Sequence, residues 1–253
     1  MTSYGIKIIA IIVMTVDHVA NILGQWGLFP ELPSRISYII INLMNSVGRC
    51  AFPLFAFMVA EGSQKTRNMP RYIGRLALFA LISEPFFYFS HWRNSPTVEG
   101  LLQNILALNF ENVFFTLMLG AITIYAYQVI DHKQVKYKRL LFIAICVVTA
   151  LTGGYIGCDY GIAGILLIVL LFFAKSKKAK CFVIFVWITC VYGIGQAYNP
   201  ISSILLDCIF ASLSCLPICF YNGKRGKQIK WIFYFYYPAH LCVLTIIHYI
   251  LIY

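Results

Sequence analysis

Long apolar runs alternate with short polar turns along the whole chain. A helix that crosses a bilayer needs about 20 apolar residues, within a range of about 17–25. On that measure the pattern predicts about nine spans, at 5–23, 36–60, 72–90, 112–130, 139–153, 160–174, 181–197, 201–220 and 230–252. The fifth and sixth are short. The longest connection, 94–111, contains Leu101-Leu102-Gln103-Asn104-Ile105-Leu106, too short to span and expected along the interface. Barrel strands would show short alternating segments instead. The expected fold class is therefore all-α, a polytopic transmembrane helical bundle forming a single domain over 1–253.

The basic residues give this pattern a direction. Lys7 precedes the first predicted span. Lys65, Arg67, Arg71 and Arg75 follow the second, and Lys133, Lys136, Lys138 and Arg139 follow the fourth. Lys175, Lys177, Lys178 and Lys180 follow the sixth, and Lys224, Arg225, Lys227 and Lys230 follow the eighth. The intervening turns hold only Arg35 and Arg93. Lysine and arginine concentrate on cytoplasmic turns, so the N-terminus is expected in the cytoplasm and the C-terminus outside.

Composition agrees. The chain is 60% hydrophobic and 11% charged, with a mean hydropathy of +0.79, against about 25% charged residues in a soluble domain. The net charge of +11 sits on alternate turns. It is expected to orient the chain in the membrane rather than to bind nucleic acid. The nine cysteines are dispersed and contain no Cys-x-x-Cys pair, so they predict neither a disulfide framework nor a zinc site; Cys208, Cys215 and Cys219 share one helical face as packing residues. No small-residue cleavage site follows the first apolar run, which is expected to stay as a signal-anchor.

Against this background the ionisable residues inside the spans stand out, because a charged group in the bilayer is costly and marks a functional site by default. At about 1.5 Å per residue, Asp17 and His18 lie about 18–20 Å from the cytoplasmic end, Arg49 about 16 Å, Glu84 about 18 Å, His240 about 15 Å and Asp207 about 20 Å. Five spans thus bring polar groups to one level. Pro85 and Pro238 adjoin two of them, and kinks of this kind suit a cavity. Neighbours on a helix do not face each other, so Asp17 is expected to pair with Arg49, and His18 to be oriented by Glu84 or Tyr237. Asp207 reads equally as a packing hydrogen-bonder. A histidine titrates near neutral pH and suits general-base or nucleophilic acyl-transfer chemistry. An arginine beside it suits a developing oxyanion.

Several motifs in order resemble the TraX family. They are Gly48-Arg49-Cys50-Ala51-Phe52-Pro53-Leu54-Phe55, Glu61-Gly62, Thr66-Arg67-Asn68, Phe79-Ala80-Leu81-Ile82-Ser83-Glu84-Pro85, Asn112-Val113-Phe114-Phe115-Thr116-Leu117, Asp159-Tyr160-Gly161, Tyr221-Asn222-Gly223-Lys224-Arg225-Gly226 and Tyr237-Pro238-Ala239-His240-Leu241. Asp17-His18 stands where that family has its Asp-His. Cys50 follows Arg49 where a larger aliphatic residue is expected. The resemblance implies a membrane acetyltransferase of the bacterial cytoplasmic (inner) membrane, using acetyl-CoA and acetylating the N-terminal amine of a pilin or other exported peptide. His18, Asp17, Arg49, Glu84 and His240 would then form the catalytic layer. Arg67, Arg71, Lys224 and Arg225 would bind the CoA phosphates, a task suited to arginine forks. O-acetylation of a surface glycan is the alternative within the enzyme class. A transporter is the alternative outside it, since broken helices around a midplane polar layer also fit one.

Overall fold

A computed structural model describes residues 1–24, 31–91, 96–227 and 230–252 of the chain. The helices are α1 (Ser3–Leu23), α2 (Ser34–Gly48), α3 (Ala51–Lys65), α4 (Met69–His91), α5 (Val98–Leu106), α6 (Val113–His132), α7 (Lys138–Tyr155), α8 (Gly161–Phe173), α9 (Lys177–Ile188), α10 (Ile201–Ser212), α11 (Cys215–Cys219) and α12 (Lys230–Ile252), with a π-helical turn at Thr189–Ile194. No strand occurs among the described residues. Their starts are written locally: Thr2, Thr97, Asn112 and Ser176 each accept a backbone N–H from the first turn of α1, α5, α6 and α9, the usual role of such residues at an N-cap.

Among the described residues, seven helical stretches are long and apolar enough to cross a membrane: Ser3–Leu23, Ser34–Lys65, Met69–His91, Val113–His132, Lys138–Tyr155, Ile201–Cys219 and Trp231–Ile250. This is an all-helical integral membrane protein. Two of the nine predicted spans are shorter than the pattern suggested. The sixth is α8, 13 residues between left-handed Tyr160 and extended Ala174, which rises only about 20 Å against a hydrocarbon core of about 30 Å. The seventh is α9, 12 residues, after which the ladder widens to the π register over Thr189–Ile194. Arg93, expected on a non-cytoplasmic turn, lies outside the described residues.

The chain divides into two compact units. The first comprises Met1–Phe55, Phe89–Trp92 and Ser176–Tyr253. In it α1 packs on α2 and α12, α2 on α10, and α9 on α10 and α11. The N-terminal residues lie along the turn before α12: Ser3 and Tyr4 N–H groups donate to the Lys224 and Arg225 carbonyls at 2.9 and 3.1 Å, and Asn222 N–H to the Met1 carbonyl at 2.9 Å. The helices α1 and α12 therefore start side by side and run in the same sense. Their seam is polar and aromatic. Tyr4 meets Phe233 edge-on, Lys7 covers the Phe233 ring, and Thr15 shares a 2.7 Å hydrogen bond with the Tyr236 hydroxyl.

The second unit comprises Ala56–Tyr88 and Arg93–Lys175. Its core is the packing of α6, α7 and α8 on one another. Ile165, Leu167, Ile168 and Leu171 of α8 are fully buried. Gly120 of α6 and Gly153 of α7 leave room for Ile168 and Ile165, where an added Cβ would collide. Small residues let membrane helices approach in this way. The outer side of α7 exposes Leu140, Ile143, Val147, Val148 and Leu151, a surface as apolar as the lipid tails it would meet.

Candidate functional site

The first unit builds its site where α1 meets α12. His18 is buried on α1 and His240 on α12. Their rings lie almost parallel, 4° apart, with His18 Nδ1 2.6 Å from His240 Nε2. His240 Nδ1 lies 2.9 Å from the Tyr236 backbone carbonyl, one turn earlier. A carbonyl oxygen only accepts, so His240 Nδ1 carries a hydrogen. With both rings neutral, each has one donor and one acceptor nitrogen. His240 Nε2 is then the acceptor, His18 Nδ1 the donor, and the lone pair of His18 is left on Nε2. The tautomer of His18 is fixed by a chain of hydrogen bonds that ends on the main chain of α12, as a ring nitrogen's role is commonly set by the bond its partner makes.

Two more rings enclose His18. His91, at the end of α4, meets it edge-on with centroids 5.6 Å apart, and Tyr237 at 6.0 Å. The Ser90 hydroxyl lies 2.7 Å from His91 Nδ1. Among the described residues no group of three or more His, Cys, Asp or Glu side chains is set to hold a metal ion. The expected orienter of His18 was Glu84 or Tyr237; the hydrogen-bonded partner is His240.

A second polar cluster lies in the same unit, on α1, α2 and α10. The helical rod Ser34–Lys65 is interrupted at Arg49-Cys50, where the N–H groups of Arg49 and Cys50 bond back three residues, to Ser46 and Val47. At this break Arg49 Nε stands 3.4 Å from Asp207 Oδ2, and the guanidinium lies over the Tyr192 ring. Ser46 Oγ donates to Asp207 Oδ1 at 2.6 Å. The expected pairing of Arg49 with Asp17 is thus corrected: the ion pair is with Asp207. Asp17 lies within the field of Arg49 and is hydrogen-bonded by the Asn21 side chain. Its Oδ1 is buried without a hydrogen-bond partner among the described residues. Two carboxylates and one guanidinium share the cluster.

Gly48 makes this arrangement possible. A Cβ there would fall inside the contact shell of the Asp17 Cβ and carboxylate. Gly48→Ala is expected to lower stability by about 1–3 kcal/mol, the usual cost of overpacking. Thermal unfolding of the purified protein in micelles should show the drop in Tm; an unchanged Tm would mean that α1 and α2 do not meet here.

Glu84 belongs to the second unit and is buried there. Its carboxylate accepts the backbone N–H groups of Glu111 and Asn112, at 3.0 and 3.3 Å, and the Asn112 side-chain amide. Asn112 in turn caps α6 and donates to the Ala80 carbonyl. The turn is tied on to 156–160: Phe110 N–H donates to the Ile156 carbonyl, Asp159 N–H to the Glu111 carbonyl, and Thr116 Oγ1 to the Asp159 carbonyl. Glu84 thereby holds two connecting turns of its own unit.

The basic residues expected at a CoA site are all exposed. Lys224 and Arg225 lie in the first unit, on the turn that pairs with Met1–Tyr4. Arg67 and Arg71 lie in the second, at the start of α4, where Arg71 N–H donates to the Asn68 side chain. Sequence reasoning missed two participants, His91 and Ser46, and left the partner of a third open. His91 lies in the last turn of its span, outside the polar level. Ser46 carries no signal of its own. Asp207 was seen at the right depth, but its partner could be found only by packing α10 on α2.

A curated relative, the probable fimbrial assembly protein FimC, serogroup H1, of Dichelobacter nodosus, is 26% identical over 257 residues, covering 96% of this chain and 94% of its own. No solved structure matches. The family model described as TraX protein matches residues 3–248, a range that takes in His18, Arg49, His240 and both units, and the chain belongs to the TraX family.

Proposed function

We propose that this protein is a membrane acetyltransferase that moves the acetyl group of acetyl-CoA to a primary amine, the N-terminus of a pilin or another exported peptide. The observation that carries this reading is the His18–His240–Tyr236 chain, which leaves a buried imidazole with its lone pair on Nε2. In the reaction the acceptor amine attacks the thioester carbonyl while His18 Nε2 takes the proton that the amine loses. The carbon–sulfur bond then breaks and CoA leaves as the thiolate, which takes that proton from the His18 imidazolium, so the thiol departs and His18 is neutral again. An α-amino group has a pKa near about 7.7–8, so a fraction is already neutral at pH 7 and only that one proton has to be removed.

His240 positions His18. Arg49 pairs with Asp207 at the break in the Ser34–Lys65 rod, and Arg49 is our candidate for stabilising a developing oxyanion. Lys224 and Arg225 are our candidates in the first unit for contacts with the CoA phosphates; Arg67 and Arg71 are the exposed basic candidates of the second unit. We read nine crossings, two of them short, with the N-terminus in the cytoplasm: the parallel start of α1 and α12 supports an odd number of crossings, and lysine and arginine on alternate turns support the orientation. The printed role of the FimC relative in fimbrial assembly supports a pilin-like acceptor and a place in the inner membrane.

Reconstituted protein given labelled acetyl-CoA and a peptide with a free α-amine should transfer label to the peptide, and none to the same peptide with its amine blocked. Label on a glycan hydroxyl alone would move the reading to O-acetylation. Absence of transfer to either acceptor class would overturn it.

A further inference from the structure

We propose that Cys181 and Cys219 are the two halves of a reversible disulfide, a thiol-oxidation site between α9 and α11. Their sulfurs are 3.7 Å apart on two helices that pack directly against each other. A disulfide requires about 2.05 Å, so the two side chains must rotate towards each other for the bond to close. The pair is accessible: Cys219 is exposed and Cys181 half-buried. A side-chain hydrogen bond spans the same two helix ends, since Lys177 Nζ, one turn before Cys181, donates to the Cys219 carbonyl at 2.8 Å. Cys215, one turn before Cys219, competes for Cys181: its Sγ lies 3.9 Å from the Cys181 carbonyl oxygen, and Cys181 Sγ lies 3.9 Å from the Cys215 carbonyl oxygen.

The chemistry is thiol–disulfide exchange with a low-molecular-weight disulfide such as oxidised glutathione. The exposed Cys219 sulfur, as thiolate, attacks one sulfur of the reagent and releases the other half as a thiol, which takes up the proton Cys219 gave up. Cys181, deprotonated in turn, attacks the Cys219 sulfur and expels the second half as a thiol. The two cysteines lose two electrons and two protons; the reagent disulfide gains them and leaves as two thiols. In a reducing cytosol the pair stays reduced, and it closes when the disulfide pool rises. The bond staples α9 to α11 just ahead of the Tyr221–Gly226 turn, which holds the start of α1. Acetyl transfer plays no part in it.

The test uses the full-length protein in detergent micelles, incubated with oxidised glutathione at about pH 8.5, where an ordinary thiol is half ionised. Free thiols are then counted by maleimide mass tagging and linked peptides are mapped by mass spectrometry. The expected result is the loss of two taggable thiols, their return on treatment with dithiothreitol, and a peptide pair joining Cys181 to Cys219. Cys215→Ser should keep that link, and Cys219→Ser should lose it. If a variant fails to fold, the peptide map of the unaltered protein decides alone. All thiols still taggable after oxidation, or a link from Cys181 to Cys215 in place of Cys219, would overturn the assignment.

Discussion

Replacing His18 by alanine is expected to lower acetyl transfer by about 10²–10⁴-fold, the range that one general base contributes. The size of the effect follows from the place of the residue. His18 is the end of a hydrogen-bonded chain whose other members, His240 Nε2 and the Tyr236 carbonyl, serve only as acceptors for ring N–H groups. Without the His18 ring the Nε2 lone pair is gone, and His240 presents to the empty space the nitrogen that formerly accepted from His18. The fold has other ties between α1 and α12, including Thr15–Tyr236 and the pairing of Ser3 and Tyr4 with the Lys224–Arg225 turn. The variant should therefore elute as the unaltered protein does and keep its helical content while losing transfer. A variant as active as the unaltered protein would remove His18 from the reaction.

Arg49→Leu should produce the largest loss of stability. It leaves Asp207 and Asp17 together in the interior without their cation. Removing one partner of a buried ion pair costs about 3–5 kcal/mol, much of it from the charge left behind. About a third of the Arg49 side chain is exposed, whereas Asp207 is nearly covered, so the lower end, about 3 kcal/mol, applies. The double variant Arg49→Leu with Asp207→Asn tests the cause. It removes the stranded charge and keeps an oxygen for the Ser46 hydroxyl, so it should recover much of the lost stability. Unfolding of the three proteins in micelles gives the comparison. A double variant no more stable than Arg49→Leu alone would show that the loss comes from packing and not from charge.

The parts of the fold that follow from length and hydropathy could be read from the sequence, and those that follow from packing could not. The runs that became α1, α4, α6, α7 and α12 are long and apolar enough to announce themselves. So are the broken rods at Ser34–Lys65 and Ile201–Cys219, because a break of two residues barely lowers the apolar content. The shortness of α8 is set by the left-handed Tyr160 and the extended Ala174, and neither residue type announces such a backbone. The π turn after α9 leaves no mark in hydropathy at all. In the site, depth along the spans placed His18 and His240 at similar levels, but it could not say that they touch. That contact depends on α1 and α12 starting side by side, which hydrogen bonds between Met1–Tyr4 and the turn before α12 bring about. Helix geometry separated Asp17 from His18 correctly in principle: one helix face carries His18 towards α12, and another carries Asp17 against Gly48 of α2. The choice of Asp207 over Asp17 as the ion-pair partner of Arg49, and the engagement of Glu84 by a turn 27 residues further on, are tertiary facts with no local signature.

The account turns on one lone pair, that of His18 Nε2, and nitrogen NMR of histidine-labelled protein in bilayers observes it directly. The His18 signals, identified by their disappearance in His18→Asn, should show a protonated Nδ1 and an unprotonated Nε2 near neutral pH. A protonated Nε2, whether as the opposite tautomer or as imidazolium, would contradict it.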